Sequence, residues 1–376
     1  MNFPVIDLFS GAGGMGLGVS NAGADLRLSV EIDATACQTM IQNPGLHSGK
    51  VLCEDVRNLS GDELRKLAGI SKKDPFLLVG GPPCQPFSKA SYWTDAGLDA
   101  KYRRARTSGV TLEKPSQILE AKPDDRRTLV HEYYRLIKES KPSGFLFENV
   151  PSILHPRSIG VFTDFKKGVE KLGYKTISLK VNGEEYGIAQ RRQRIILIGF
   201  LDQVPTQPIK THSSDLNDIG QGYAKLLTVG EALKPFRAKK YFEPEEVIAG
   251  RYAEHLREIP PGMNYKALTS WAGHSKPSFV AETRFWNFLL KLHPQQQSWT
   301  IAANPGPWTG PFHWESRRLR TIELAVLQGF PSNYSFAGSR RDRVKQIGNA
   351  LPSNIAAACI KPLLEILNGS TKRIAI

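Results

Sequence analysis

One stretch organises the rest of this 376-residue chain, and it reads Leu77-Leu78-Val79-Gly80-Gly81-Pro82-Pro83-Cys84-Gln85-Pro86-Phe87-Ser88. The apolar run predicts a short buried strand, and the two glycines after it allow a sharp turn. The prolines stiffen the chain, so Cys84 stands on a rigid support at the carboxyl end of a strand, where open α/β sheets bind ligands. The segment predicts a positioned thiolate nucleophile, or else a small buried thiol in a proline-rich turn.

The composition indicates a basic protein with a sizeable core. Hydrophobic residues make up 40% of the chain, and 50 Lys+Arg against 36 Asp+Glu leave a net charge of +14. A length of 376 residues predicts two or three domains. We expect a polyanionic partner because the positive charge is so large, with a merely basic enzyme as the alternative.

The cysteines and the chain start bear on cellular location. Cys37, Cys53, Cys84 and Cys359 lack the short spacing of a zinc site, so we expect no metal and a reducing, cytoplasmic setting. The chain leads directly into a predicted strand, with no basic leader. Its longest apolar run, residues 195–201, is far shorter than the ~20 residues that span a bilayer, so we expect no membrane segment.

A glycine-rich loop follows the first predicted strand, residues 5–9, and leads into a predicted helix over 14–22. This order lets backbone N–H groups meet a nucleotide-like ligand, although a tight turn without a ligand gives the same pattern. Glu31 ends the second predicted strand, residues 26–30, where a carboxylate can accept hydrogen bonds from ribose hydroxyls. Asp55 follows a third strand and can accept from an adenine amino group. Taken singly, each acid can equally be solvated.

Basic residues concentrate in two further segments. Residues 89–125 form a long polar stretch in which basic and aromatic side chains alternate: Tyr92, Trp93, Lys101, Tyr102, Arg103, Arg104, Arg106 and Lys114. This mixture suits a nucleic acid, and a solvated flexible loop is the alternative. Arg191, Arg192 and Arg194 lead into the predicted strand 195–200, where they suit phosphate or base contacts or a surface ion-pair cluster.

Glu148 follows an apolar strand over residues 145–147, so we expect partial burial to raise the pKa of its carboxyl. The alternation of strands and helices stops near Leu201. Residues 202–316 are rich in Pro, Gly, Trp and His and predict a smaller, loop-rich domain. A helix over 317–328 and a final helix over 353–367 are predicted after it.

These motifs together resemble the DNA (cytosine-5)-methyltransferases of bacterial restriction-modification systems. The similar segments follow that family's order over nearly the whole chain, and they are residues 7–14, 81–88, 148–150, 190–194, 317–331 and 346–352. The resemblance implies an α/β fold: a doubly wound, mostly parallel sheet that binds S-adenosyl-L-methionine, with a smaller loop-rich target-recognition domain. The catalytic domain would comprise residues 1–201 and 317–376, its last helix beside the first motif, and the recognition domain would be 202–316.

The resemblance also implies the site residues. The catalytic set is Cys84, Glu148, Asn149, Arg192 and Arg194. The cofactor-binding set is Phe9, Gly11, Gly13, Gly14, Glu31, Ile32, Asp55, Val56, Gly81, Asn349 and Ala350. The DNA-binding set is Ser88, Arg103, Arg104, Arg106, Gln190 and Arg317. Many family members have Asn-Asp where this chain has Ile32-Asp33, and the segment after Cys84 looks longer than in compact members.

In the implied chemistry, the Cys84 thiolate adds to cytosine C6 of a base flipped out of the duplex, and neighbouring cations favour the thiolate. Glu148 would offset charge at N3, Arg194 would reach the O2 edge, and Arg192 a phosphate or a loop carbonyl. Asn149 would order the backbone at the nucleophile, and the base that removes the C5 proton stays open, with water as a candidate. The implied partner is double-stranded DNA, bound by a monomer in the cytoplasm, with a separate cognate restriction endonuclease.

Three alternatives stay open at this point. A tRNA-methylating branch shares the catalytic motifs, although the large 202–316 segment argues against it. A nucleotide-dependent oxidoreductase would use the glycine loop but leaves Cys84 and Glu148 unexplained. A catalytically idle DNA-binding module is the third. The target sequence cannot be derived, and candidate contacts in 202–316 are His274, Trp286, Trp299, Trp308 and Trp314.

Overall fold

A computed structural model describes residues 3–87, 98–113 and 124–374 of the chain. Within these ranges the main sheet has seven strands, which are β1 Pro4–Leu8, β2 Asp25–Glu31, β3 Lys50–Cys53, β4 Leu77–Gly80, β5 Gly144–Asn149, β6 Tyr174–Asn182 and β8 Gln193–Leu201. Their order across the sheet is β3-β2-β1-β4-β5-β8-β6, and the short β7, Gln190–Arg191, pairs elsewhere.

The sheet is mostly parallel, as predicted. Strands β3, β2, β1, β4, β5 and β6 run in one direction, and β8, which lies between β5 and β6, is antiparallel to both of its neighbours. The chain builds outward from β1 to β2 and β3, then crosses back to β4 on the other side of β1. That reversal opens a crevice at the carboxyl ends of β1 and β4, which is where doubly wound sheets bind ligands.

Helices cover both faces of the sheet. They include α1 Gly14–Asn21, α2 Ala34–Ile41, α3 Gly61–Leu67, α5 Leu129–Ser140 and α6 Ile159–Lys171, whereas α4 Leu98–Thr107 belongs to the segment after Cys84. Successive residues of β1 point to opposite faces. Ile6 packs with Leu136 of α5 in one apolar cluster, and Val5 packs with Met15 of α1 in the other. Both clusters are closed to water, so the fold has a core on each side of the sheet.

The end of the chain returns to the first motif. The last helices are α10 Thr321–Leu327, α11 Arg340–Asn349 and α12 Ser353–Ile374. A Cβ on Gly18 of α1 would lie 2.3 Å from the Cβ of Ala356 in α12, so only glycine permits this close helix packing. The predicted return of the final helix is therefore found in the structure.

Residues 202–316 contain short elements: β9 His212–Ser213, α7 Leu216–Gly220, β10 Ala224–Lys225, α8 Val229–Leu233, α9 Ala253–Glu258 and β11 Ser298–Trp299. Much of this segment packs around its own apolar cluster, which includes Leu256, Tyr265 and Phe288. Helix α8 packs instead against α10 through Val229. The domain boundaries at 201 and 316 stay a prediction.

Two segments differ from expectation. The stretch 89–125, predicted as a polar loop, contains α4 in its described part. The helix predicted from residue 317 begins only at Thr321, because Arg317 is drawn into contacts with Glu323 and the Glu323 carboxylate caps the Arg320 N–H at 2.8 Å. One helical stretch, Arg340–Gly369, has the length and hydropathy of a membrane span, but its most apolar window is 72% buried within the protein.

Candidate active site

A cavity of about 460 Å³ lies at the carboxyl ends of β1, β4 and β5. Segments from both ends of the chain form its wall. The predicted residues that line it are Phe9, Gly11, Glu31, Ile32, Asp55, Val56, Gly81, Cys84, Glu148, Arg194, Asn349 and Ala350. The structure therefore brings most of the predicted catalytic and cofactor residues to one place.

The glycine loop and Glu31 form one wall of the cavity. Gly11 takes the left-handed conformation, with φ of 54°, and its N–H donates to Glu31 Oε2 at 2.8 Å. The Asp33 N–H donates to Glu31 Oε1, also at 2.8 Å. Burial raises the pKa of Glu31 despite these two hydrogen bonds. The carboxylate is thus held rigidly at the end of β2 before any ligand arrives.

The other predicted cofactor residues differ in their surroundings. Asp55 lines the cavity while its carboxylate pairs with Arg57 at 2.6 Å, and that hydrogen-bonded pair lowers the pKa of Asp55. Ile32 is 63% exposed at the cavity edge. Gly13 and Gly14 lie behind the wall, where a Cβ would come within 2.9 Å of Tyr334 Oη and 2.4 Å of the Leu351 carbonyl oxygen, respectively. They allow the final helices to approach the loop.

Asn149 and Gly81 hold the segment that carries Cys84. The fully buried Asn149 donates from Nδ2 to the Pro82 carbonyl at 3.1 Å, so the end of β5 supports the Pro-Pro-Cys turn. A Cβ on Gly81 would lie 2.8 Å from Glu148 Oε2, so glycine lets this carboxylate approach the backbone beside the nucleophile. Cys84 itself is a free, half-buried thiol.

Three of the predicted catalytic residues place charge around the thiol. Glu148 Oε1 and Arg194 Nε form an ion pair at 2.6 Å, and both side chains are largely buried. Burial raises the pKa of Cys84, and the Glu148 carboxylate raises it further, while Arg194 and Arg192 act in the opposite direction. The expected cations are therefore present, but burial outweighs them and keeps the pKa of the thiol above its ordinary value.

Arg192 links the arginine segment to the final motif. It is 1% exposed, and its Nη2 donates to the carbonyls of Gly348 at 2.7 Å and Ala350 at 3.0 Å. Burial and the nearby Arg194 lower its pKa. Of the two contacts expected for Arg192, the structure shows the loop carbonyl, and this contact fixes the backbone on either side of Asn349.

The predicted DNA contacts fall into two groups. Arg104 is exposed on α4, and Arg106 on the same helix pairs with Glu282 at 2.7 Å. Ser88 and the side chain of Arg103 lie outside the described residues.

The other two predicted DNA-binding residues, Gln190 and Arg317, make contacts within the protein. Gln190 is fully buried and donates from Nε2 to the Leu327 carbonyl at 2.9 Å. Arg317 pairs with the buried Glu323 at 2.7 Å. Gln190 thereby joins the arginine segment to α10, and Arg317 braces the first turn of α10. The assignment of both residues to DNA stays a prediction.

Sequence reasoning missed two cations at the cavity. Arg126 lines it, interacts electrostatically with Cys84, and pairs with Asp124 at 2.7 Å. Lys345 donates from Nζ to Asp33 Oδ2 at 2.7 Å. A cluster of basic residues on α11 was visible in the sequence, but its approach to Asp33 depends on the return of the final helices.

Comparison with known proteins agrees with this arrangement. The sequence model of the C-5 cytosine-specific DNA methylases matches residues 3–365. The chain belongs to that family. This C-5 cytosine-specific DNA methylase is 33% identical over 390 residues to the Type II methyltransferase M.SacI of Streptomyces achromogenes, covering 97% of this chain and 93% of the relative. It is 28% identical to M1.HphI of Haemophilus parahaemolyticus, covering 97% of this chain and 88% of the relative.

The solved structures support the same fold for this methylase. A crystal structure described as a prophage-encoded DNA modification methyltransferase of E. coli matches with a TM-score of 0.67 at 22% identity, over 98% of this chain and all of that one (100%). At this identity the likeness concerns the fold alone. The predicted family, fold class and DNA cytosine-5 methyltransferase activity are confirmed, and the oxidoreductase alternative is wrong.

Proposed function

We propose that the protein transfers a methyl group from S-adenosyl-L-methionine to C5 of one cytosine within a short duplex DNA site. The observation that carries this proposal is a single cavity whose wall contains Cys84, the Glu148–Arg194 ion pair and the Glu31-braced glycine loop. A nucleophile for the base and a cradle for a nucleoside thus face the same space. The proposed function needs both at once.

The cavity residues fit the cofactor. Its volume of about 460 Å³ lies within the range of small-molecule pockets. Glu31 presents a fixed carboxylate suited to a pair of ribose hydroxyls. Among the described residues other than the chain neighbours of Gly11, no atom lies within 4 Å of a Cβ placed on Gly11, which leaves room for a ligand against the backbone. The exposed Ile32 offers an apolar contact to the adenine ring, and Asp55 an acceptor for its amino group. S-adenosyl-L-methionine bound there supplies an electrophilic methyl group.

Cys84 activates the base. Cytosine C5 is a weak nucleophile, and addition of the Cys84 thiolate to C6 turns the ring into an enamine with electron density on C5. The sulfur electron pair forms the S–C6 bond, and the ring π electrons move toward N3, where a proton shared with Glu148 offsets the charge. After C5 accepts the methyl group, loss of the C5 proton and departure of the sulfur restore the ring. Water is a candidate for the base that takes this proton.

The supporting residues have positioning roles in this proposal. Asn149 keeps the Pro82 carbonyl, and with it the nucleophile turn, on the end of β5. Arg194 holds Glu148 and faces the O2 edge of the base. Arg192 fixes the backbone around Asn349. These three contacts fix the positions of the groups around the two bound molecules, and a reaction between bound molecules requires such fixed positions.

Duplex DNA must open for this chemistry, because C5 and C6 are inside the base stack. Flipping the nucleotide out costs a few kcal/mol, which contacts with the protein have to offset. The net charge of +14 suits the phosphate backbone. We place the DNA against α4, with Arg104 and Arg106, and against the recognition segment that Arg106 touches through Glu282. In that segment Trp286 is 49% exposed and packs on Trp299, and Arg191 lies over the Trp299 ring.

The relatives named Type II methyltransferases suggest the biological role. We propose that this enzyme protects host DNA in the cytoplasm, acting as a monomer beside a separate endonuclease that cuts the same site when it is unmethylated. Bisulfite sequencing of DNA from bacteria that express the protein tests activity and target together. One cytosine within a short sequence should resist bisulfite conversion throughout the genome. In bacteria that express the Cys84→Ser variant, no cytosine should gain this resistance. Unmodified DNA together with methylated tRNA would contradict the proposal.

A further inference from the structure

Two cysteines that take no part in the proposed chemistry lie against the cofactor wall. Cys37 is buried on α2, and Cys53 is the exposed last residue of β3. Cys37 Sγ donates to the Glu31 carbonyl at 3.3 Å, and Cys53 Sγ lies 3.9 Å from the Ile32 carbonyl. Cys53 is also the strand neighbour of Glu31 in the parallel pair β2–β3. Both thiols therefore touch one short segment, residues 31–32.

The two thiols also interact with each other. Burial is the main cause that raises the pKa of Cys37, and a hydrogen bond with the Cys53 side chain comes next. Both are free thiols. A disulfide needs its two Cβ atoms to approach to about 4 Å. The two sulfurs already lie against the carbonyls of adjacent residues, so a modest shift of the side chains can supply this approach.

We propose that Cys37 and Cys53 form a redox modification site: oxidation joins them in a disulfide, and the disulfide weakens cofactor binding by displacing the turn at Glu31. The oxidant class is a hydroperoxide. The effect on cofactor binding rests on the proposed function, whereas formation of the disulfide does not.

The chemistry runs through the exposed thiol. The Cys53 thiolate attacks the terminal oxygen of the hydroperoxide, so an S–O bond forms and the O–O bond breaks. The departing alkoxide takes up the proton that the Cys53 thiol released and leaves as an alcohol. The Cys37 sulfur then attacks the Cys53 sulfur, an S–S bond forms, and hydroxide leaves with the Cys37 proton as water. Two thiols lose two electrons in total, and the hydroperoxide is reduced to alcohol and water.

The position of the disulfide explains its effect. Oxidation removes the S–H group that donates to the Glu31 carbonyl and draws α2 toward the end of β3. The next turn is held by Asp33, which accepts the Thr35 N–H at 3.0 Å as the cap of α2 and pairs with Lys345 at 2.7 Å. A shift of α2 therefore reaches both the Glu31 carboxylate and the final motif. By reciprocity, bound cofactor must shift the equilibrium away from the disulfide and toward the two thiols.

The experiment uses the full chain with Cys84→Ser, so that oxidation of the nucleophile cannot contribute. The protein is treated with tert-butyl hydroperoxide, and peptides are analysed by mass spectrometry without reduction. Binding of S-adenosyl-homocysteine is measured by calorimetry before and after. We expect a Cys37–Cys53 peptide pair, affinity weakened about tenfold, and recovery with dithiothreitol.

Matched variants separate this site from other oxidation. When Cys53→Ser is added, the peptide pair should disappear, and hydroperoxide should no longer change the affinity for S-adenosyl-homocysteine. When Cys359→Ser is added instead, which alters a buried core cysteine, hydroperoxide should still produce the peptide pair and the weakened affinity. Failure to form the pair, or a pair with unaltered affinity, overturns the inference. If the reduced protein does not bind S-adenosyl-homocysteine at all, the proposed pocket fails instead, and the peptide pair still reports on the disulfide.

Discussion

Glu148 and Arg194 form an ion pair, 2.6 Å between Oε1 and Nε, across the antiparallel pair β5–β8 at the wall of the catalytic cavity. The two residues come from strands that are distant in sequence, and the antiparallel pairing of β5 with β8 brings them together. Because the pair is largely buried, removal of one charge leaves the other poorly compensated. The pair therefore both orients the carboxylate and places a cation beside Cys84.

The first prediction concerns Glu148→Gln. The amide keeps the shape of the side chain but cannot share a proton with cytosine N3, so we expect methyl transfer to slow about 10²- to 10⁴-fold, as for loss of a general acid. Single-turnover transfer from labelled cofactor to a DNA carrying the target measures this. Glu132→Gln, which breaks an ion pair on α5, should change the rate by no more than a few-fold. An unaltered rate in Glu148→Gln would remove this carboxylate from the mechanism.

The second prediction concerns the reactivity of the Cys84 thiol in the free enzyme. Burial raises its pKa, so the thiolate fraction should still be increasing with pH above the ordinary thiol value of about 8.5. The rate of iodoacetamide labelling, followed on the Cys84 peptide, reports this profile. Arg194→Gln should shift the profile to higher pH and Glu148→Gln to lower pH, because these charges act in opposite directions. Identical profiles in all three proteins would contradict the proposed electrostatics.

The third prediction concerns Asp7, a fully buried carboxyl on β1. Burial raises its pKa from 3.8 to about 8, so the folded protein keeps a proton that the unfolded chain releases. This group therefore stabilises the fold at low pH, and its contribution is lost as pH rises toward about 8. In Asp7→Asn the free energy of unfolding should fall less between about pH 4 and pH 8 than in the native protein.

Urea unfolding at a series of pH values measures that difference. Asp62→Asn on α3 is the control, since its carboxylate is largely exposed and should leave the pH dependence unaltered. Parallel curves for Asp7→Asn and the native protein would show that Asp7 ionises normally.

The fourth prediction concerns the contact between α4 and the recognition segment. Arg106→Gln should weaken DNA binding and reduce the slope of log affinity against log salt by about 1, the share of one phosphate contact. Glu282→Gln breaks the same ion pair but keeps the cation, so its salt slope should match the native protein. Equal slopes in all three proteins would place Arg106 away from the phosphates.

Local sequence signals predicted the parts of the site that local structure builds. The glycine loop, the Pro-Pro-Cys turn and the acids at strand ends each depend on a few neighbouring residues. The contacts of Arg192 with Gly348 and of Lys345 with Asp33 were out of reach, because they depend on how the final helices return to the sheet. The resemblance to a known family supplied that return, but not the atoms that meet.

Other differences have similar causes. A basic, polar composition favoured a loop over 89–125, yet residues 98–107 form a helix. Arg317 looked available to DNA, but Glu323 lies on the same side of the first turn of α10 and pairs with it. The raised pKa of Cys84 follows from how deeply the turn is buried, which the residues near Cys84 do not reveal.

The central claim is a transient bond between Cys84 and C6 of the target base. An oligonucleotide duplex with 5-fluorocytosine at the methylated position tests it most directly, because fluorine cannot leave C5 as a proton does and the adduct cannot resolve. In the presence of S-adenosyl-L-methionine, we predict a denaturation-resistant protein–DNA complex whose cross-linked peptide contains Cys84, and none with Cys84→Ser. Methyl transfer to the ordinary duplex without any trapped complex on the fluorinated one would contradict the account.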